Sequence, residues 1–356
     1  MNSTPEPTLF SLGEKGFIGA LLPGLYRDPR LVSGFGHDAS VIELDGAPFD
    51  LIQKIDRASY PVSLKNGWSG YRSWGRMAIT ANCSDILASG GTPVSCMIAV
   101  MLPGDELAAN AADIVAGAAE ECRRNGVVFA GGDTKEARDP HVVGTAAGII
   151  ERGAFLPRDT AEPGDVLFCA GRFGGFGGAF FLLQHEHAGP DWVRYLSHPV
   201  AQWDAARLVN RHRLARCGMD ASDGLLDVLR SLASGGAGVR LDLAAMPYHP
   251  FAVECARRTP VPLTQLLFAG GDWNIVYSVP KDGADELARL AAAAGAPLFR
   301  IGEVIADPGA VLAVDGDGRH FELRGVVNEH FKNRIEDATS FMDHIAHGDF
   351  LHPSRP

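Results

Sequence analysis

The sequence lacks paired cysteines: Cys83, Cys96, Cys122, Cys169, Cys217 and Cys255 stand singly and no CxxC occurs. That argues against a zinc or disulfide framework and leaves small core thiols as their expected role. No uninterrupted apolar run reaches membrane-spanning length, and the first residues, MNSTPEPTLF, have neither the basic nor the apolar segment of a signal peptide. A cytoplasmic protein with no membrane partner is expected. Positive charge is scarce too, with 32 Lys and Arg against 43 Asp and Glu and a formal net charge of -11. A protein that grips nucleic acid through its phosphates needs the opposite balance, so nucleic acid is not an expected partner. The acidic excess suits metal ions instead.

What is present describes an ordinary globular chain: 356 residues, 46% hydrophobic and 21% charged, enough for two cores or one large one. After a short tail, a helix is expected through Phe17, Ile18 and Leu21. Asp45-Gly46 signals a hairpin between a strand at Val41–Leu44 and one ending near Ile55. Strands are then expected at 94–102, 127–130 and 142–150, with an amphipathic helix from Leu107 to Cys122 that stops at Asn125-Gly126. Gly131-Gly132-Asp133-Thr134-Lys135 would follow the strand at 127–130, at its carboxyl end. The layout is α/β in two domains, 1–155 and 156–335, with 336–356 as an outer tail or helix.

One stretch stands out, AITANCSDILASGGTP from Ala78 to Pro93. It reads as a helix that is almost wholly apolar or small and that stops at Gly90-Gly91. Asn82, Asp85 and Ser89 form a polar stripe on it. A carboxylate on a buried helix is costly unless paired. No Lys or Arg lies between Arg76 and Arg123, so its partner is a distant cation or a bound metal, or the residue is a cap at an exposed edge.

In the second half, a strand at 166–170 runs into GRFGGFGG (Gly171 to Gly178) and then a helix at 179–185. That order can offer backbone N–H groups to a phosphate, although the glycines fit neither a Walker A loop nor a strict dinucleotide fingerprint. Close helix packing is the alternative. A helix is expected from about Val200 to Cys217, then Met219-Asp220-Ala221-Ser222-Asp223-Gly224, a helix from Leu225, and strands at 239–243, 273–279 and 298–304, with a helix at 284–293 between the last two.

Asp38, Asp56, Asp85, Asp133, Asp223 and Asp272 all sit beside small residues at element ends. Two carboxylates 4 Å apart repel by ~4 kcal/mol at an effective dielectric of ~20, so a cleft that gathered six would need divalent cations. Hard oxygen donors favour magnesium, which ordinarily arrives with a nucleoside triphosphate.

These residues carry a resemblance. Gly13-Glu14, Gly36-His37-Asp38-Ala39-Ser40, Ile55-Asp56, Asn82-x-Ser84-Asp85, Gly131-Gly132-Asp133-Thr134, Met219-Asp220-x-Ser222-Asp223-Gly224-Leu225, Gly270-Gly271-Asp272 and Asn328-x-His330-Phe331 occur in order over residues 12 to 331. The pattern resembles the superfamily of AIR synthase, selenophosphate synthetase, HypE and thiamine-monophosphate kinase, and most closely the last. The resemblance implies an N-terminal domain that dimerises through its sheet, a C-terminal α/β domain, and ATP with several Mg2+ ions in the cleft between them. It assigns Asp38, Asp56, Asp85, Asp133 and Asp223 to metal. Asn82, Gly131, Gly132, Asp133 and Thr134 would contact ATP, and Asp223 and Lys135 the reacting phosphoryl group.

The chain departs from the kinase pattern where the small-molecule acceptor should lie. His37 precedes Asp38 where that pattern has a second aspartate. Ile55-Asp56-Arg57-Ala58-Ser59-Tyr60 and Asp272-Trp273-Asn274 replace its usual runs. His37, Arg57, Asp220, Asp272, Trp273 and Asn274 are therefore expected to bind an acceptor other than thiamine monophosphate. Two rival expectations stand beside the kinase: a ligase or dehydratase of the AIR synthase or HypE type, to whose turn Gly132-Asp133-Thr134-Lys135 is similar, and a noncatalytic MgATP-binding subunit.

Overall fold

In the computed structural model, which describes residues 7–186, 188–325, 331 and 338–354, the first half is a five-stranded sheet with helices on one face. Helix α1 (Leu9–Leu21) leads to β1 (Ser40–Ile42) and β2 (Phe49–Ala58), an antiparallel pair whose connection turns through Gly46 at a φ of 75°. After α2 (Val62–Lys65) come α3 (Arg72–Ala88), β3 (Thr92–Leu102), α4 (Ala108–Asn125), β4 (Val128–Glu136) and β5 (His141–Glu151). The strand order is β1-β2-β5-β3-β4, and only β3 and β4 run parallel.

The expected buried helix is α3. Its end is a Schellman motif: Gly91 N–H reaches the Ile86 carbonyl, Gly90 N–H that of Leu87, and Gly90 takes the positive φ of 94° the motif needs. Glycine also lets α3 cross α4 with their backbones touching. A Cβ on Gly75 would sit 1.8 Å from the Ile114 carbonyl oxygen, and one on Gly117 would sit 2.1 Å from that of Arg72.

The opposite face of this sheet is open. Ile55, Thr145 and Met97 lie in one row across β2, β5 and β3, and Leu51 pairs with Ile149 in another; Ile55, Met97 and Ile149 are exposed. Residues Gly131 to Lys135 differ from expectation. They are not a loop beyond a strand but part of β4 itself, which continues to Glu136 around an irregularity opposite Cys96 and Ile98.

The second half comprises β6 (Val166–Ala170), α5 (Gly175–Glu186), α6 (Pro190–Ser197), α7 (Trp203–His212), β7 (Cys217–Asp220), α8 (Leu225–Ala233), β8 (Gly238–Asp242), α9 (Pro250–Arg258), β9 (Ile275–Val279), α10 (Lys281–Ala294), β10 (Leu298–Ile305), β11 (Val311–Val314), β12 (His320–Leu323), α11 (Ala338–His347) and β13 (Leu351–Pro353). Eight strands form one sheet in the order β13-β12-β11-β8-β10-β6-β9-β7.

Three expectations fail here. The helix expected to run to Cys217 ends at His212, because Arg213 turns left-handed and Cys217 already begins β7. The strand expected from Trp273 begins at Ile275, since Trp273 has a φ of 52°. The C-terminal segment is not an outer appendage: Phe341, Met342 and Ile345 enter the second core, and β13 pairs with β12.

Helix α3 lies between the two sheets. Ile79, Ile86 and Leu87 share one core with Phe168, Trp203, Tyr277 and Leu287 from the second half, and fully burying each such side chain contributes ~1.5–3 kcal/mol. Gly218 of β7 lacks a side chain where a Cβ would meet the Ala88 carbonyl oxygen at 2.5 Å.

Candidate active site

Because α3 is held against both sheets, its polar stripe faces the place where they meet. There β1 is preceded by Asp38, α3 presents Asp85 and β7 ends in Asp220. A carboxylate oxygen from each lies within 4.8 Å of the other two, and all three residues are buried. The inward face of β2 adds Lys54, two residues after the fully buried Ile52, with its Nζ 3.0 Å from Asp85 Oδ2. Arg158, from the segment between the sheets, places Nη1 3.4 Å from Asp38 Oδ1. The distant cation that the sequence left open for Asp85 is therefore Lys54.

Burial pushes the Asp85 carboxyl well above the usual range; Lys54 opposes this, while Asp220 and Asp38 add to it. Asp38 is raised for the same first reason, against Arg158 and Lys54. Asp220 is pushed up to about 6 by burial and then by Asp38. Burial works against the charge on Lys54, but Asp85, Asp56 and Asp38 outweigh it and raise its pKa. The carboxylates are not saturated from within. Ser222 Oγ donates to Asp220 Oδ1 at 3.0 Å, yet Asp220 Oδ2 and Asp38 Oδ2 are buried without a hydrogen-bond partner. Clustered hard carboxylate oxygens, two of them without a hydrogen-bond partner, are the donor set a small divalent cation takes, so the residues fit such an ion.

Asn82 is one turn before this cluster. Its Nδ2 donates to the Ala78 carbonyl at 2.8 Å, leaving Oδ1 buried and unpartnered. Gly144 of β5 makes room for it, since a Cβ there would fall 2.4 Å from Asn82 Nδ2. His37 is partly buried, edge-on to Phe155 with ring centroids 5.2 Å apart, and burial lowers its pKa. Its Nδ1 has no partner.

Other expected site residues lie apart from this core. Asp56 is exposed but close enough to bear on Lys54. Asp133, Thr134 and Lys135 are exposed on β4 at the sheet edge, Gly131 is half-buried there, and Gly132 packs against β3, where a Cβ would stand 1.7 Å from the Ile98 carbonyl oxygen. Asp223 is exposed in the turn after β7. Arg57 follows Asp56 on β2 and is exposed. Strand alternation turns it away from Lys54 and Asp56, towards the open face of the sheet. Asn328 and His330 lie outside the described residues.

Asp272 is already engaged within the chain. Its Oδ2 accepts from the N–H groups of Gly174 and Gly175 at 2.6 and 3.2 Å, and its Oδ1 accepts from Phe176 N–H at 2.6 Å and Tyr195 Oη at 2.9 Å. The glycine loop does bind an anion, and that anion is this carboxylate. Trp273 is half-buried in the turn that follows, and Asn274 is buried with Oδ1 3.4 Å from Gln202 Nε2. Asp272 braces the glycine loop, and Asn274 stands beside its first residue, where a Cβ on Gly171 would meet Asn274 Oδ1 at 2.1 Å.

Lys54 and Arg158 were absent from the sequence reading. Lys54 carried a signal: it sits in period-two register with Ile52 and Asp56, so an inward β2 places all three on one face. Arg158 carried none.

The chain belongs to the AIR synthase related protein family, whose N-terminal domain model matches residues 36–150 and whose C-terminal domain model matches residues 162–315. Within it the chain stands on the branch of ATP-dependent kinases: it is 30% identical over 329 residues to the thiamine-monophosphate kinase of Mycobacterium tuberculosis, covering 88% of this chain and 91% of that one. In fold it is similar to AaThiL complexed with AMPPCP and TMP, with a TM-score of 0.76 at 22% identity over 92% of this chain and 100% of that one. It is also similar to Escherichia coli HypE, a hydrogenase maturation protein, with a TM-score of 0.63 at 20% identity over 86% and 96% of the two chains. Among the described residues no helix is long and apolar enough to cross a membrane.

Proposed function

We propose that the chain transfers the γ-phosphoryl group of ATP, with Mg2+, to a small polar acceptor other than thiamine monophosphate, and that it works as a homodimer. The observation that carries this reading is the buried trio of Asp38, Asp85 and Asp220, whose carboxylates cluster within 4.8 Å and include two oxygens without a hydrogen-bond partner. Phosphoryl transfer asks a protein chiefly for position and charge neutralisation. Asp38, Asp85 and Asp220 would hold the divalent ion, which supplies positive charge to the polyphosphate when bound. Lys54 and Arg158 hold these carboxylates in place, and the burial of α3 excludes water from behind them. Asn82 offers a free acceptor oxygen one turn away, and Asp133, Thr134 and Lys135 offer exposed groups along β4.

Three features support a changed acceptor. His37 places a neutral ring beside Asp38, Asp272 is committed to the glycine loop, and Asn274 is buried. Little remains free in these segments to read a second phosphate or a thiazolium ring. Dimerisation is supported by the open row of Ile55, Thr145 and Met97.

The test is ADP release across a panel of alcohols, phosphate monoesters and amides, with thiamine monophosphate as control. A stable phosphorylated product in phosphorus NMR supports the kinase. Inorganic phosphate formed only with a second substrate points to a ligase. Tight MgATP binding without ADP formation on any acceptor points to a noncatalytic subunit, and turnover of thiamine monophosphate as the best acceptor overturns the altered specificity.

A further inference from the structure

Lys54 stands in a buried carboxylate cluster, where a lysine is rarely found unless it is paired. Its Nζ touches Asp85, its charge is also felt by Asp38 and Asp56, and its side chain is 22% exposed. Arg158 holds Asp38 from the other side. Three buried carboxylates and the exposed Asp56 thus face two fixed cations, which leaves two net negative charges here when all are ionised. One divalent ion makes the site neutral, which suits a polyphosphate; a second would leave two uncompensated positive charges beside Lys54. His37, next to Asp38 in the chain, adds no negative charge to the trio.

We propose that Lys54 is a built-in cation that takes the place of one divalent ion, so that Asp38, Asp85 and Asp220 take up a single ion from solution. The proposal rests on the phosphotransferase reading only in treating the trio as a metal site. The ammonium cannot leave, so part of the positive charge at this site does not depend on metal concentration. Asp38 Oδ2 and Asp220 Oδ2, the orphaned pair, receive the exchangeable ion, while Asp85 is shared with the lysine.

The test counts Mn2+ bound to the full chain without nucleotide, by electron paramagnetic resonance and calorimetry, using Asp220→Asn to identify the ions that belong to the trio. Wild type should lose one ion in Asp220→Asn. Lys54→Ala should gain a second ion at the trio, or bind the first at least about tenfold more tightly, because a repelling charge has gone. Two trio ions in the wild type overturn the proposal, and this measurement needs no Lys54 variant to fold. So does an unchanged count and affinity in Lys54→Ala. Lost MgATP affinity with unchanged Mn2+ binding also overturns it, and makes Lys54 a phosphate contact. The two readings fail separately: one Mn2+ at the trio with no MgATP binding at all leaves Lys54 as assigned and sinks the phosphotransferase.

Discussion

Asp272→Ala removes the acceptor of the glycine loop and separates a structural carboxylate from a ligand-binding one. In the wild type three backbone N–H groups at the start of α5 and the Tyr195 hydroxyl all donate to Asp272. Alanine leaves these donors facing a small buried gap. An unsatisfied buried donor costs ~1–3 kcal/mol, and a negative charge at a helix N-terminus contributes up to ~2 kcal/mol in a partly buried setting. Against this stands relief from burying a carboxylate, since burial pushes Asp272 up to about 6 despite its hydrogen bonds. The net expectation is a loss of ~3–5 kcal/mol, a large part of the ~5–15 kcal/mol typical of whole domains. Asp272→Asn keeps one acceptor oxygen and should fall between alanine and wild type. Urea denaturation followed by far-UV circular dichroism gives the differences, with MgATP calorimetry on each variant. A change under ~1 kcal/mol in Asp272→Ala would refute the bracing role, and lost acceptor or nucleotide affinity at unchanged stability would make the carboxylate a ligand group.

Asp85→Asn should lower Mg2+-dependent turnover about 10- to 100-fold, as loss of a metal-supporting group commonly does; turnover near wild type, read by ADP release, would make the α3 stripe purely structural. Asp220 has a folded pKa of about 6 against an ordinary 3.8. Because the folded value is raised, the stabilisation it supplies is complete below pH 3.8 and is lost as pH rises through 6, to the extent of ~3 kcal/mol. In chelator the urea midpoint should therefore carry this downward contribution between pH 4 and 7, and millimolar Mg2+ should remove it; an identical pH profile in Asp220→Asn would refute the assignment. Gly144→Ala would force a methyl to 2.4 Å from Asn82 Nδ2 and 2.5 Å from the Ala78 carbonyl oxygen. It should cost ~1–3 kcal/mol by lifting α3 from β5, visible as a lower melting temperature and weaker MgATP binding. Met97→Arg on the open sheet face should convert a dimer to a monomer in sedimentation velocity, and an unchanged sedimentation coefficient would place the dimer contact elsewhere.

Much of the first half was legible because its signals are local. The Asp45-Gly46 turn, the Gly90-Gly91 stop and the Asn125-Gly126 cap each depend on a φ that few residues but glycine adopt, and all three are found. The errors share a cause, which is that strand and helix ends were decided by distant partners. β4 extends through Gly131 to Lys135 because β3 lies alongside to pair with it, and Gly132 is glycine because Ile98 leaves no room for a side chain. The C-terminal helix was read as an outer piece because its few apolar residues, Phe341, Met342 and Ile345, show their purpose only once the second core is assembled. At the site the sequence grouped acids by their neighbours in the chain. It thus placed Asp38 and Asp85 near metal but assigned Asp220 to substrate, and gave Asp272 a ligand when it already had one. Lys54 was overlooked because a charged residue in a strand reads as solvent-facing until β2 is known to face α3.

The position of α3 between two sheets also bears on how this chain can be cut and recombined. The interval between the two matched models, residues 151 to 161, looks like a seam. Severing it would not yield two finished pieces, because Ile79, Ile86 and Leu87 complete a wall whose other side is Phe168, Trp203 and Tyr277. Each fragment would present raw interior to water. Halves exchanged with a relative would meet across a surface shaped for a different neighbour, so a working chimera must bring α3 together with the facing positions on β6, α7, β7 and β9 as one inherited block.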